Sequence, residues 1–143
     1  MAECPFCEIV AGEAAAEIVF EDETSVAFLD LRPLFPGHSL LVPRAHHETL
    51  ADLPAALVEP YFAGAQLLSR AIPEAMGAQG SFVAINNVVS QSVPHLHTHV
   101  VPRVRKDGLR GFFWPRSRYS GDHHAAETAA AVRAAVARLT ASG

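Results

Sequence analysis

Histidine dominates the reactive side chains of this 143-residue chain. Eight His stand against two Cys, and five of the eight fall at 46–47 and at 95, 97 and 99. In His95-Leu96-His97-Thr98-His99-Val100-Val101 the imidazoles recur at period two. On a strand, alternate side chains share a face, so the three His would line one face while Leu96 and Val100 entered the core. Alternate positions lie roughly 6.7 Å apart, which separates the outer pair by about 13 Å. Zinc–nitrogen bonds of about 2.0–2.1 Å require much closer donors, so all three could share one ion only at a bend. The row suits nucleophilic chemistry better, with a reactive middle imidazole whose neighbours orient it or hold an anion. Neutral imidazole is a usable nucleophile near pH 7, and an adjacent imidazolium can protonate a leaving group.

The other reactive pair is Cys4-Pro5-Phe6-Cys7. Alone it is half of a tetrahedral zinc site, or a redox pair. Acid replaces the base a secretory signal needs, and no apolar stretch follows, so the expected location is cytoplasmic. The longest run without Asp, Glu, Lys or Arg, from Ala75 to Pro102, holds Asn86, Asn87, Ser90, Gln91, Ser92 and the three His. It therefore does not read as a membrane span. A chain that is 50% hydrophobic with net charge −4 is neither a disordered tail nor a dedicated nucleic-acid binder.

These residues need a frame. Residues 17–21, 25–31, 38–42, 81–85 and 95–101 read as strands, and two prolines bracket a loop at 32–37. From about Pro54 the period changes. Leu57, Tyr61, Ala65, Leu68, Ile72 and Met76 mark one face of a long helix, kinked or begun at Pro60 and ended by Gly77. A last helix starts near Asp122, with Val132, Val136 and Leu139 on one face. The expectation is an α+β fold with a five-stranded antiparallel sheet, one long helix and a C-terminal helix.

Residues 91–103, from Gln91 through His95-Leu96-His97-Thr98-His99 to Arg103, resemble the signature of the histidine-triad superfamily of nucleotide hydrolases and transferases. Residues 27–44 resemble its second diagnostic block, and residues 4–9 look like the opening of its bacterial members. The resemblance implies a histidine-triad fold as one domain over 1–143, with a core at about 4–103 and a basic, aromatic segment and helix over 104–143. It implies that His97 attacks the α-phosphorus to form a nucleotidyl-histidine, flanked by His95 and His99, with His38 on the adjoining strand. Gln91 and Ser92 match phosphate-contacting positions, Asn86 a further site residue, and Asp30 the ribose-binding position. Cys4, Cys7, His46 and His95 match a structural zinc set. The implied ligand is a purine nucleotide or dinucleoside polyphosphate, with hydrolysis the leading reaction and transfer to phosphate, or binding alone, the alternatives. A homodimer is also implied.

One departure stands out. The family has a glycine-rich loop before its triad, whereas Asn86-Asn87-Val88-Val89-Ser90-Gln91 has no glycine. Glycine permits positive φ, so this loop is expected to take another path. Downstream, six of the 11 basic residues fall between Arg103 and Arg118, interleaved with Phe112, Phe113, Trp114 and Tyr119. That segment suits a polyphosphate border, a single-strand contact or a subunit interface.

Overall fold

A computed structural model of the chain describes residues 3–109 and 116–142. Two compact units divide it, residues 1–107 and 108–143. In the first, α1 (Pro5–Val10) leads into β1 (Ile18–Glu21), β2 (Ser25–Leu29) and β3 (Ser39–Pro43). A 3₁₀ turn at Leu50–Asp52 precedes α2 (Ala55–Met76), then β4 (Gly80–Ile85) and β5 (Thr98–Arg103) complete the sheet. The order is β1-β2-β3-β5-β4 with every neighbouring pair antiparallel. This is the expected α+β architecture.

The sheet is covered on both faces, and the division places the chemistry. Ala27, Leu41 and Val100 turn to α2, where Tyr61, Ala65, Leu68 and Ile72 complete the main core with Leu96. Burying one such Leu stabilises by roughly 1.5–3 kcal/mol. The helix runs through Pro60 and Pro73, and Gly77 ends it in a left-handed cap at φ 64°. On the opposite face Val26, Phe28, Leu40 and Val42 gather around Phe6 of α1. In register across the strands, Phe28 pairs with Leu40, and Leu40 and Ala84 both pair with His99. His99 thus belongs to the face away from α2.

Two expectations need correction. The last strand does not begin at His95; it begins at Thr98. Pro94 has no N–H for a ladder. His95 N–H closes a turn on the Val93 carbonyl at 2.8 Å, and Leu96 N–H is taken by the His47 carbonyl at 2.7 Å. The first two triad histidines therefore lie on a bend rather than a strand. The second correction is α1, which sequence periodicity misses because six residues are too few to show it; Pro5 starts it and Cys4 caps it.

In the second unit α3 spans Asp122–Ser142. Its Val132, Val136 and Leu139 are exposed. No described helix is long and apolar enough to cross a membrane.

Candidate active site and metal centre

His97 is buried, and its Nδ1 lies 2.8 Å from the backbone oxygen of His95. A carbonyl only accepts, so Nδ1 carries the proton and the neutral ring keeps its lone pair on Nε2. The ring stands edge-on to Phe6 at a centroid separation of 5.1 Å and to His99 at 5.2 Å. Beneath it, on the α2 face, Tyr61 donates to the Leu41 carbonyl at 2.9 Å, so Thr98 Oγ1 donates to the Tyr61 oxygen at 2.6 Å. The long helix thereby fixes the residue between the two site imidazoles.

A second hydrogen-bonded line arrives from β3. Leu34 N–H donates to His38 Nδ1 at 3.0 Å, which leaves the proton of the neutral His38 ring on Nε2. That Nε2–H donates to His99 Nδ1 at 3.0 Å. His99 must then carry its own proton on Nε2. The loop entering His38 is drawn close by Gly37 at φ +99°, where a Cβ would lie 2.7 Å from Met76 Cγ. Burial, then the nearby His97 and His38, lowers His99 to about 4, and burial lowers His38 against the pull of Asp30. The adjacent imidazolium expected from the sequence is thus a neutral imidazole near pH 7, offering a hydrogen bond through Nε2.

Asp30 divides its oxygens. Oδ1 accepts Arg32 N–H at 2.8 Å, closing the turn after β2, and Oδ2 lies 3.7 Å from His38 Nε2. Ligand atoms of Asp30, His38 and His99 all fall within 4.8 Å of one another. Protonated Nε2 of His38 cannot ligate, so this trio reads as a hydrogen-bonded chain.

The loop before the triad turns left-handed without glycine, at Val88 (φ 68°) and Ser90 (φ 63°). Its path is therefore one that glycine would favour, contrary to expectation, and side-chain amides hold it there. Gln91 accepts Val88 N–H at 3.0 Å and donates to the Glu48 carbonyl, while Asn87 accepts Leu50 N–H at 2.8 Å. Gln91 is thus spent on bracing the loop. Asn86 and Ser92 are exposed.

His95 leaves the imidazole row altogether. It is fully buried, and its Nε2–H donates to the Pro43 carbonyl at 2.8 Å. Nδ1 is thereby left as a lone pair, 3.4 Å from Cys4 Sγ and 3.5 Å from Cys7 Sγ. His46 Nδ1 lies 3.3 Å from Cys7 Sγ, and donor atoms of all four residues fall within 4.8 Å. A tetrahedral zinc separates neighbouring sulfur and nitrogen donors by about 3.5 Å, so this donor set fits one. The carbonyl behind His95 is the usual partner that fixes a ligating imidazole. Burial and the Cys4 sulfur push the Cys7 thiol up to about 11, and a divalent cation would reverse that. Cys4, Cys7 and His46 line an open cavity of about 780 Å³ together with Glu3, Glu8 and Glu13, which gives a cation a route in.

Sequence reasoning misses Phe6 and Pro43. Phe6 touches both His95 and His97, and its only signal is its place between the two cysteines. In the basic segment, Arg103 is held by Asp107 at 2.6 and 3.0 Å. Arg110, Phe112, Phe113 and Trp114 lie outside the described residues, and Arg116, Arg118 and Tyr119 belong to the second unit.

The HIT domain family matches residues 11–106. The chain belongs to the HIT domain family. A HIT family protein of Bacillus subtilis has the same fold, with a TM-score of 0.84 and 30% identity over 92% of this chain and 96% of that one. A Zn-bound histidine triad family protein of Mycobacterium smegmatis is 37% identical, with a TM-score of 0.71 over 98% and 97% of the two chains. An adenylylsulfatase of Arabidopsis thaliana is 35% identical over 109 residues, covering 75% of this HIT protein and 55% of the relative. The chain thus spans about half the length of that relative. An adenosine 5'-monophosphoramidase of Saccharomyces cerevisiae is 33% identical over 111 residues, covering 76% and 68%.

Proposed function

We propose that this HIT protein is a nucleotide hydrolase that cleaves a phosphoanhydride or phosphoramidate at the α-phosphorus. Dinucleoside polyphosphates of purine nucleosides are the favoured substrates. The observation that carries the reading is the 2.8 Å contact of His97 Nδ1 with the His95 carbonyl, which commits the lone pair to Nε2. Nε2 attacks the phosphorus, the bond to the leaving group breaks, and the ring holds the nucleotidyl group as a cation with its proton still on Nδ1. A polyphosphate departs as its anion and needs no proton from the protein, while an amine leaving a phosphoramidate takes its proton from solvent water, which the second step returns. Water then displaces His97, loses a proton and releases the nucleoside monophosphate. Dividing one displacement into two lowers each barrier. The Nε2–H of His99 donates to a phosphoryl oxygen, Ser92 adds a hydroxyl, and Oδ2 of Asp30 receives a ribose hydroxyl.

Two relatives support the chemistry, since the names adenylylsulfatase and adenosine 5'-monophosphoramidase both describe cleavage next to an adenosine phosphate. Cys4, Cys7, His46 and His95 would hold a zinc ion. With four protein ligands it would supply a structural tether, not an open coordination position. β4 is an edge strand, bonded on one side only within the sheet, which suits pairing with a second copy in a homodimer.

Incubation with diadenosine tetraphosphate, with and without inorganic phosphate, tests the reaction. The expected result is phosphate-independent release of AMP by the wild type and a loss of at least about 10³-fold in His97→Asn, as for other covalent nucleophiles. Undiminished turnover in that variant would refute the mechanism. Phosphate-dependent release of ADP would replace hydrolysis with transfer.

A further inference from the structure

The two centres described above share a residue. The ring of His95 faces the two cysteines, while its backbone carbonyl receives the proton-bearing nitrogen of His97. Every polar group of His95 is committed: N–H to Val93, Nε2–H to Pro43, Nδ1 to the sulfurs and the carbonyl to His97. One fully tied residue thus holds the cysteines through its ring and His97 through its carbonyl. Phe6 supplies a parallel connection. It stands between Cys4 and Cys7 in sequence, and it packs edge-on against His95 at 5.9 Å and His97 at 5.1 Å.

We propose that His95 is a positioning residue that makes the ring of His97 answer to the redox state of Cys4 and Cys7. In the reduced state both sulfurs are held against His95 Nδ1, with a zinc ion between them when it is bound. A hydroperoxide is the oxidant. Two thiols and one ROOH give one S–S bond, one ROH and one water; the cysteines lose two electrons and two protons, and the O–O bond breaks. From the zinc-bound thiolates the same change takes up two protons from water and releases Zn²⁺. Four ligands become two, and the partner of His95 Nδ1 is removed. Cys4 caps α1 and Cys7 lies on it, so closing the disulfide also shifts Phe6 between them. Both supports of the His97 ring move together. Thiol reductant and Zn²⁺ return the system to its starting state.

The consequence for turnover rests on the reading of His97 as nucleophile, but the coupling itself is tested without substrate. Zinc-loaded, full-length protein labelled with ¹⁵N is treated with hydrogen peroxide. Zinc release is followed with a colorimetric chelator, the disulfide by a 2 Da mass loss, and the His97 ring by long-range ¹H–¹⁵N correlation spectra. About one zinc per chain should be released with one disulfide. The His97 Nδ1–H signals should shift or broaden while the amide spectrum of β2, β3 and β5 persists, and reductant with Zn²⁺ should restore them. A disulfide that leaves the His97 signals unchanged overturns the coupling. So does zinc release without a disulfide, or collapse of the whole amide spectrum, which would be unfolding in place of a local shift. Absence of nucleotide hydrolysis by the reduced protein would instead refute the proposed function and leave these spectra interpretable.

Discussion

The Nε2–H of His38 donates to Nδ1 of His99 across 3.0 Å, joining two rings 61 residues apart in sequence. The contact assigns the tautomer of both, and burial, with His97 and His38 beside it, keeps His99 neutral with its remaining proton on Nε2.

That neutrality has a sign in stability. His99 is lowered from the ordinary 6.5 to about 4. Between those values the unfolded chain binds more protons than the native one, so stability rises with pH across this window. The stability is present above about pH 6.5 and is lost as pH falls towards 4. Thermal denaturation at half-unit pH intervals should show the midpoint dropping through this window. The drop should be shallower in His99→Asn, and equal slopes in the two proteins would contradict the assignment.

The proposed zinc site is tested by metal removal, which should destabilise the first unit. Structural zinc sites tie metal binding directly to folding free energy. Excess chelator, or Cys4→Ser, should lower the thermal midpoint and bring zinc content measured by mass spectrometry well below one per chain. His47→Ala serves as the control and should retain its zinc, because His47 stands outside the donor cluster. Full zinc retention in Cys4→Ser would reject the cluster.

Val88→Gly should stabilise the protein. A left-handed conformation costs an L-residue roughly 1–2 kcal/mol. Glycine gives back roughly 0.5–1 kcal/mol through the entropy of the unfolded chain. The net gain is about 1 kcal/mol, or about 2–4 °C in Tm for a domain of this size. Val88→Ala keeps most of the strain and should leave Tm nearly unchanged. A fall in Tm for the glycine variant would show that the loop is not strained there.

Tyr61→Phe probes the support beneath the triad. It leaves the Leu41 carbonyl and the Thr98 hydroxyl buried without their partner, at a cost of about 1–3 kcal/mol. Chemical denaturation should show that loss with an unchanged m-value. Restoring the balance with Thr98→Val should recover part of it, since removing both partners is less costly than removing one. No recovery in the double variant would mean that the hydroxyls act independently.

The period-two histidines are legible because strand geometry and imidazole chemistry both constrain side-chain type. What the pattern does not show is direction. His95 shares the parity of His97 and His99, yet the backbone bends at Pro94 and sends its ring to the cysteines. Bends of this kind depend on distant acceptors, here the Pro43 and His47 carbonyls, which no local pattern encodes. The α2 face is readable from its spacing, as the burial of Tyr61, Ala65, Leu68 and Ile72 shows. The loop at 86–91 misleads for the opposite reason. Local propensity argues against positive φ, and side-chain amides from Gln91 and Asn87 override it. Phe6 is invisible as a site residue in the sequence, because a lone aromatic beside a cysteine looks like any core residue.

The sheet order sets when the two histidine clusters can assemble. β3 pairs with β5, not with its sequence neighbour β4, and that pairing waits for α2 and β4 to be laid down between them. Contacts of such long sequence separation are slow to form, because loop closure must be met first. The Cys4–His95 contact spans 91 residues and also depends on the closing strand. A partly folded chain therefore has neither the imidazole line nor a complete ligand set. In refolding, both clusters should assemble in the slowest phase and never ahead of the sheet, so a chain still being synthesised has neither until nearly all of the first unit has emerged.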